Sequence, residues 1–162
     1  MSNKEKISKV VEVLNTARSM ELNGIVQYLN QHYGLGGDDY GKLAAEMKKI
    51  AKDEMHHAEA FAERIKDIDN ALEPTAKLIP SEITKGQEVE AIYSFDAQAE
   101  SHTIAEYGKF AAVCRENNDY VSAVLFEKII TEEQEHFNYF SDTDEHIKKL
   151  GSSFLAKQVE KD

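Results

Sequence analysis

Residues 53–61 read DEMHHAEAF, two acids followed by two histidines, each acid three residues ahead of one histidine. Asp53 is spaced to His56 as Glu54 is to His57, so the spacing alone offers two equivalent candidates for a metal-binding pair. Helical phase separates them, because positions three or four apart share one face of a helix. Apolar residues flank the stretch at Leu43, Met47 and Ile50 on one side and at Phe61, Ile65 and Ile68 on the other. Carried through the gap, that stripe takes in Glu54 and His57. Asp53 and His56 follow Lys49 and Lys52 and precede Glu63, the pattern of a solvated face. A carboxylate on a core stripe is costly unless something compensates it.

The same pattern recurs along the chain. On the last long stripe, Ile129 and Phe140 bracket Glu133 and His136, while Glu132 and Glu135 fall off the face. Glu21 is in phase with Leu14, Ile25 and Tyr28, and Glu100 with Ile92, Thr103 and Tyr107. With twenty glutamates and six histidines in 162 residues, two Glu-x-x-His spacings are unremarkable by count. Their phase is what matters, since it puts four glutamates on four separate core stripes with no Lys or Arg beside them. Two divalent cations would balance four carboxylates, and two neutral imidazoles would complete the shell. One glutamate from each of two helices and Glu-x-x-His from each of the other two is the ligand pattern of di-iron carboxylate bundles.

The rest of the chain agrees with an all-α fold. The stripes predict helices over about 4–33, 40–69, 86–115, 119–149 and 152–160, in one domain spanning 1–162. GLGGDD (34–39) reads as a helix–helix turn, and RENND (115–119) as another. EPTAKLIPSEITKG (73–86) holds both prolines and reads as a long connection. Short, long and short connections describe a four-helix bundle with one crossover. Gly151 with Ser152 and Ser153 is expected to end the fourth helix and cap the short fifth.

Composition narrows the function. A net charge of −11 argues against nucleic-acid binding, which needs cations against phosphates. One cysteine, Cys114, excludes an intrachain disulfide and a four-cysteine iron centre, and is expected to be a buried filler. The N-terminus lacks the apolar core of a signal peptide, and no stretch reaches membrane-spanning length, so a cytoplasmic protein is expected.

MELNGIVQY (20–28), DEMHHAEAFAERI (53–65), TEEQEHFNYF (131–140) and the ending LGSSFLAKQVEKD (150–162) resemble the bacterioferritins over essentially the whole chain. The resemblance implies a ferroxidase that oxidises Fe(II) with O2 or H2O2 and stores ferric mineral inside a homo-oligomeric shell of 24 subunits. It implies that Glu54 and Glu133 bridge two iron ions, with Glu21 and His57 capping one and Glu100 and His136 the other. Bridging carboxylates would hold the metals about 3.5–4 Å apart, close enough to share one oxidant. Tyr28, two turns after Glu21, is by resemblance a hydrogen-bond partner or electron source, and equally reads as a core tyrosine. Tyr107 stands in the same relation to Glu100 and is read as packing.

The resemblance also implies haem b at a two-fold interface, ligated by Met55 and lined by Leu22, Ile25 and Leu29. Lys52, one turn before Met55, departs from the family's apolar residue there. Lys49 likewise stands where the family's inner-surface iron site has a histidine beside Asp53. A ferredoxin is the implied electron donor. Two rival functions stand beside this one: a rubrerythrin-like peroxidase without storage, and a smaller Dps-like protective shell.

Overall fold

The computed structural model describes residues 2–78 and 87–159. They form helices α1 (Asn3–Gly37), α2 (Gly41–Ile68), α3 (Val89–Glu116), α4 (Tyr120–Leu150) and the single turn α5 (Ser152–Leu155). Ser2 caps α1 with its hydroxyl on the Glu5 amide, and the Glu5 carboxylate reaches back to the Ser2 amide at 2.6 Å. These reciprocal bonds satisfy amides that an open helix end leaves unpaired. Asp119 caps α4, accepting from the Ser122 amide at 2.9 Å, and takes both oxygens to Arg64 of α2 at 3.0 Å.

α1 packs along α2, and α3 along α4, over most of their lengths, whereas α2 and α4 approach less closely. The connection after α2 climbs beside α1. Thr75 binds Asn15, Lys77 binds Ser19, and Gln87 accepts from Gln27 and Gln31. Most of the proline-bearing connection, including Pro80, falls in residues 79–86, which lie outside those described.

Two apolar clusters fill the bundle, and neither runs through its middle. One gathers Leu35, Met47, Ile92, Tyr93, Phe140 and Ile147; the other gathers Leu14, Phe61, Ile65, Tyr107, Phe126 and Ile129. On every long helix the switch from one cluster to the other occurs at the candidate acids: Glu21, Glu54, Glu100 and Glu133. Burial of each large side chain on either side stabilises the fold by about 1.5–3 kcal/mol. Both clusters therefore hold the polar layer between them.

Three element expectations need correction. The glycine-rich stretch does not break α1, which continues through Gly34, Gly36 and Gly37. Leu35 among them is buried in the first cluster, and that burial holds the last turn helical against the glycines' poor propensity. The reversal is confined to Asp38–Tyr40, where Asp39 takes the left-handed conformation at φ 65°. The start of α3 was expected at 86, outside the described residues. Gln87 and Glu88 are not helical, and Glu88 is the extended N-cap. α5 was expected to run to 160 but stops at Leu155, because the chain after it is tied to the start of α2. Lys42 donates from its amide to the Gln158 carbonyl and from Nζ to the Lys157 carbonyl. Cys114 is free and buried, with burial pushing its thiol up to about 12. No helix among the described residues is long and apolar enough to cross a membrane.

Candidate metal centre

Glu21, Glu54, His57, Glu100, Glu133 and His136 are all buried and meet in the layer between the two clusters. Their ligand atoms form two groups, each with all atoms within 4.8 Å of one another. The first is Glu21, Glu54, His57 and Glu133; the second is Glu54, Glu100, Glu133 and His136. Glu54 and Glu133 belong to both.

Both imidazoles turn Nδ1 inward. His57 Nδ1 lies 3.3 Å from Glu54, 3.2 Å from Glu133 and 3.6 Å from Glu21. His136 Nδ1 lies 3.0 Å from Glu133 and 3.1 Å from Glu54. A ring nitrogen has one hydrogen at most, so these contacts cannot all be satisfied by donation. Glu54 and Glu133 each keep Oε1 buried without a hydrogen-bond donor. Acceptors in excess of donors, in a dry layer, fit cations. A small cavity of about 30 Å³, room for a water-sized guest, touches all four glutamates with Tyr28 and Tyr107.

Titration behaviour reflects the same crowding. Burial, followed by the nearby Glu54 charge, raises the Glu21 carboxyl well above its ordinary value, and burial with Glu54 and Glu133 does the same to Glu100. Burial works against charge on Glu54 as well, but hydrogen bonds with Glu21, His136 and His57 outweigh it and hold that carboxyl low. The histidines shift upward against burial, because bonds to carboxylates outweigh it. His57 is raised by Glu133, Glu21 and Glu54; His136 is pushed up to about 11 by Glu133 and Glu54. Without metal, the layer balances charge with protons.

Three residues around the six differ from the sequence reading. Asp53, read as part of a solvated face, and Glu132, read as off the core stripe, each reach the histidine of the opposite helix. Glu132 lies 2.7 Å from His57 Nε2, and Asp53 lies 3.4 Å from His136 Nε2. Side chains just off the stripe curl over the rim of the layer, which one-helix phase cannot show. Their signal was present, since each immediately precedes the glutamate shared by both groups. Tyr107 is not merely packing: its hydroxyl donates to Glu21. Tyr28 donates to Glu100. Each tyrosine thus serves the glutamate of the neighbouring helix, not the one two turns before it on its own. Burial, then the partner carboxylate, raises both phenols. His56 is exposed, as its phase implies. Met55 points outward at 46% exposure.

A family model described as a ferritin-like domain matches residues 11–150. The bacterioferritin of Desulfovibrio desulfuricans is 52% identical over 153 residues, covering 94% of this chain and 84% of that protein. Bacterioferritin BfrA of Mycobacterium tuberculosis is 32% identical over 149 residues, covering 92% of each. The X-ray structure of the D. desulfuricans bacterioferritin, which presents its diiron site in different catalytic states, superposes with a TM-score of 0.93 at 50% identity. It covers 98% of this chain and 91% of that one. The M. tuberculosis structure gives 0.85 at 32% identity, over 93% and 94%. Sequence and fold agree over nearly the full length, and this chain belongs to the bacterioferritin family.

Proposed function

We propose that this protein is an iron-storage ferroxidase: it oxidises Fe(II) at an intrasubunit di-iron site and deposits the ferric product inside an oligomeric shell. The observation that carries this reading is the pair of overlapping ligand groups sharing Glu54 and Glu133. Two Fe(II) ions are the substrate. Glu21 with His57 holds one, Glu100 with His136 holds the other, and Glu54 and Glu133 bridge them. Together the pair of ions supplies two electrons, enough to reduce one H2O2 to water or one O2 to H2O2.

The chain's own groups prepare the site. Glu132 and Asp53 accept from the histidines' Nε2–H, so that each ring stays held with Nδ1 aimed inward when a metal displaces the Nδ1 proton. Tyr28 and Tyr107 donate to the two terminal glutamates and fix their rotamers. Both phenols stay protonated in this environment, so they are donors rather than ligands. The apolar clusters above and below exclude bulk water and strengthen every charge interaction in the layer.

Assembly is part of the proposal. Tyr120, Val121 and Val124 stand exposed at the start of α4, and Val26 and Met55 on the outer side of α1 and α2, apolar surface that neighbouring copies would cover. The shell has 24 copies, as the family resemblance implies, and a ferredoxin returns electrons for iron release. Haem b, held between Met55 of two copies, would supply an electron-transfer group at that interface.

The test is aerobic addition of many Fe(II) per subunit. The unmodified protein is expected to oxidise iron rapidly and keep it as a soluble mineral. Glu54→Ala and His136→Ala are expected to lose fast oxidation, by roughly 100-fold or more, while remaining assembled. Unchanged oxidation in both variants would overturn the site; oxidation followed by precipitation would overturn storage and favour the peroxidase function.

A further inference from the structure

Asp96 is a buried acid that the iron chemistry above does not use. It lies on α3 one turn before Glu100 with 0% exposure, and among the described residues none forms an ion pair with it. From α1 it is met by Gln31, 4% exposed and one turn after Tyr28. Gln31 Nε2 donates to Asp96 Oδ1 at 2.9 Å and to Gln87 Oε1 at 2.9 Å, so both amide hydrogens are used. Reversing the amide would set its oxygen against two acceptors, which fixes the orientation.

Two acceptors are left over. Asp96 Oδ2 and Gln31 Oε1 are both buried without a hydrogen-bond partner. They belong to two planar groups already joined by one N–H···O bond. A single proton on Asp96 Oδ2, donated to Gln31 Oε1, satisfies both and closes an acid–amide ring of two hydrogen bonds. An ionised Asp96 leaves both unsatisfied and buries a charge without a cation, costing several kcal/mol.

We propose that Asp96 is carried as the neutral acid at near-neutral pH, paired at two points with Gln31, and that this pair is a positioning element for Tyr28. The pair pins α1 to α3 one turn from Tyr28, and so holds the phenol on Glu100. It also spares that phenol a second negative charge. Among the described residues, the titratable groups facing Asp96 are Tyr28 from α1 and Tyr93 on α3 itself, with Glu54 of α2 and Glu100 of α3 beyond Tyr28, while Lys77 and His102 line the same pocket without pairing with it. No described cation forms an ion pair with Asp96, and burial raises the acid to about 8. The structural half of this inference stands alone; the role at Tyr28 rests on the proposed function.

Infrared difference spectroscopy of metal-free protein at pH 7 tests the protonation. Asp96→Asn is expected to remove one carboxylic-acid C=O band, above the amide envelope, without removing a carboxylate band. Loss of a carboxylate band instead would overturn the proposal. Asparagine reproduces both the acceptor and the donor of the neutral acid, whereas leucine offers neither. Asp96→Leu is therefore expected to slow Fe(II) oxidation by about tenfold, with Asp96→Asn rescuing it to within about twofold of the unmodified protein. Asparagine no better than leucine would overturn the positioning role. The infrared result needs neither iron nor a folded leucine variant. An unmodified protein that fails to oxidise iron would therefore overturn the proposed function and leave the acid–amide pair to be judged separately.

Discussion

His57 and His136 each use both ring nitrogens, with Nδ1 among the glutamates and Nε2 on an acid from the opposite helix. Glu132 and Asp53 touch no proposed metal position, yet they decide which nitrogen carries the hydrogen. Removing such a partner typically costs 10- to 100-fold in metal affinity. Asp53→Ala and Glu132→Ala are each expected to weaken binding of a redox-inert ion such as Zn(II) by about that factor, read by competitive titration. Glu135→Ala, one turn from Glu132 but exposed, is the control and should bind as the unmodified protein does. Equal affinity in all three would show that the histidines orient themselves. These two acids illustrate the limit of reading one helix at a time. The stripe identified all six proposed ligands, because each sits on its own helix's buried face. It missed the supporting acids, because their partners lie on a different helix.

Among the elements, α1 shows how packing overrides local preference. Gly34 and Gly37 are helical, and a methyl group at either would meet nothing within 4 Å. A helical glycine costs about 1 kcal/mol relative to alanine. Gly34→Ala and Gly37→Ala are each therefore expected to raise stability by up to about 1 kcal/mol, seen as a higher midpoint in denaturant unfolding. Gly151 has φ 51°, a conformation alanine adopts poorly, so Gly151→Ala should lower it. A destabilised Gly34→Ala would mean that the end of α1 is not helical in solution. α5 carries the complementary lesson: its sequence permits a longer helix, but backbone bonds from Lys42 to Lys157 and Gln158 capture the chain first.

At the scale of the whole molecule, the polar layer links iron, protons and assembly. Glu21, Glu100, His57 and His136 all have their proton affinity raised in the metal-free layer. As ligands they must be unprotonated, so binding two divalent ions expels protons, up to four per subunit. Affinity should accordingly rise with pH and fall as pH drops, by about tenfold per pH unit for each proton released. Calorimetry of Zn(II) binding in buffers of different ionisation enthalpy would count those protons; a count of zero would refute the charge balance described for the layer. The proposed haem belongs to this scale too, because Met55 faces away from its own bundle and is the one exposed methionine among the described residues, so a second thioether at that face must come from another copy. Protein assembled with haem is expected to show a bis-thioether absorption spectrum that Met55→Leu abolishes. If the unmodified protein takes up no haem under those conditions, the Met55 assignment fails.

The sequence by itself determined the bundle, its order of connections and the six acids and histidines on its inner faces. Those properties follow from periodicity within single helices, and a buried charge on a periodic apolar stripe is visible without a partner. Only the tertiary structure decided which groups meet: that Glu54 and Glu133 belong to both ligand groups, and that Tyr28 serves Glu100 and Tyr107 serves Glu21. It also showed that Asp53 and Glu132 cross to the opposite histidines. Rotation and axial offset between helices set those pairings, and both are fixed by packing of the two apolar clusters rather than by the spacing of residues along the chain. In DEMHHAEAF, the stripe distinguished Glu54 and His57 from their neighbours, and the fold gave Asp53 a place beside His136.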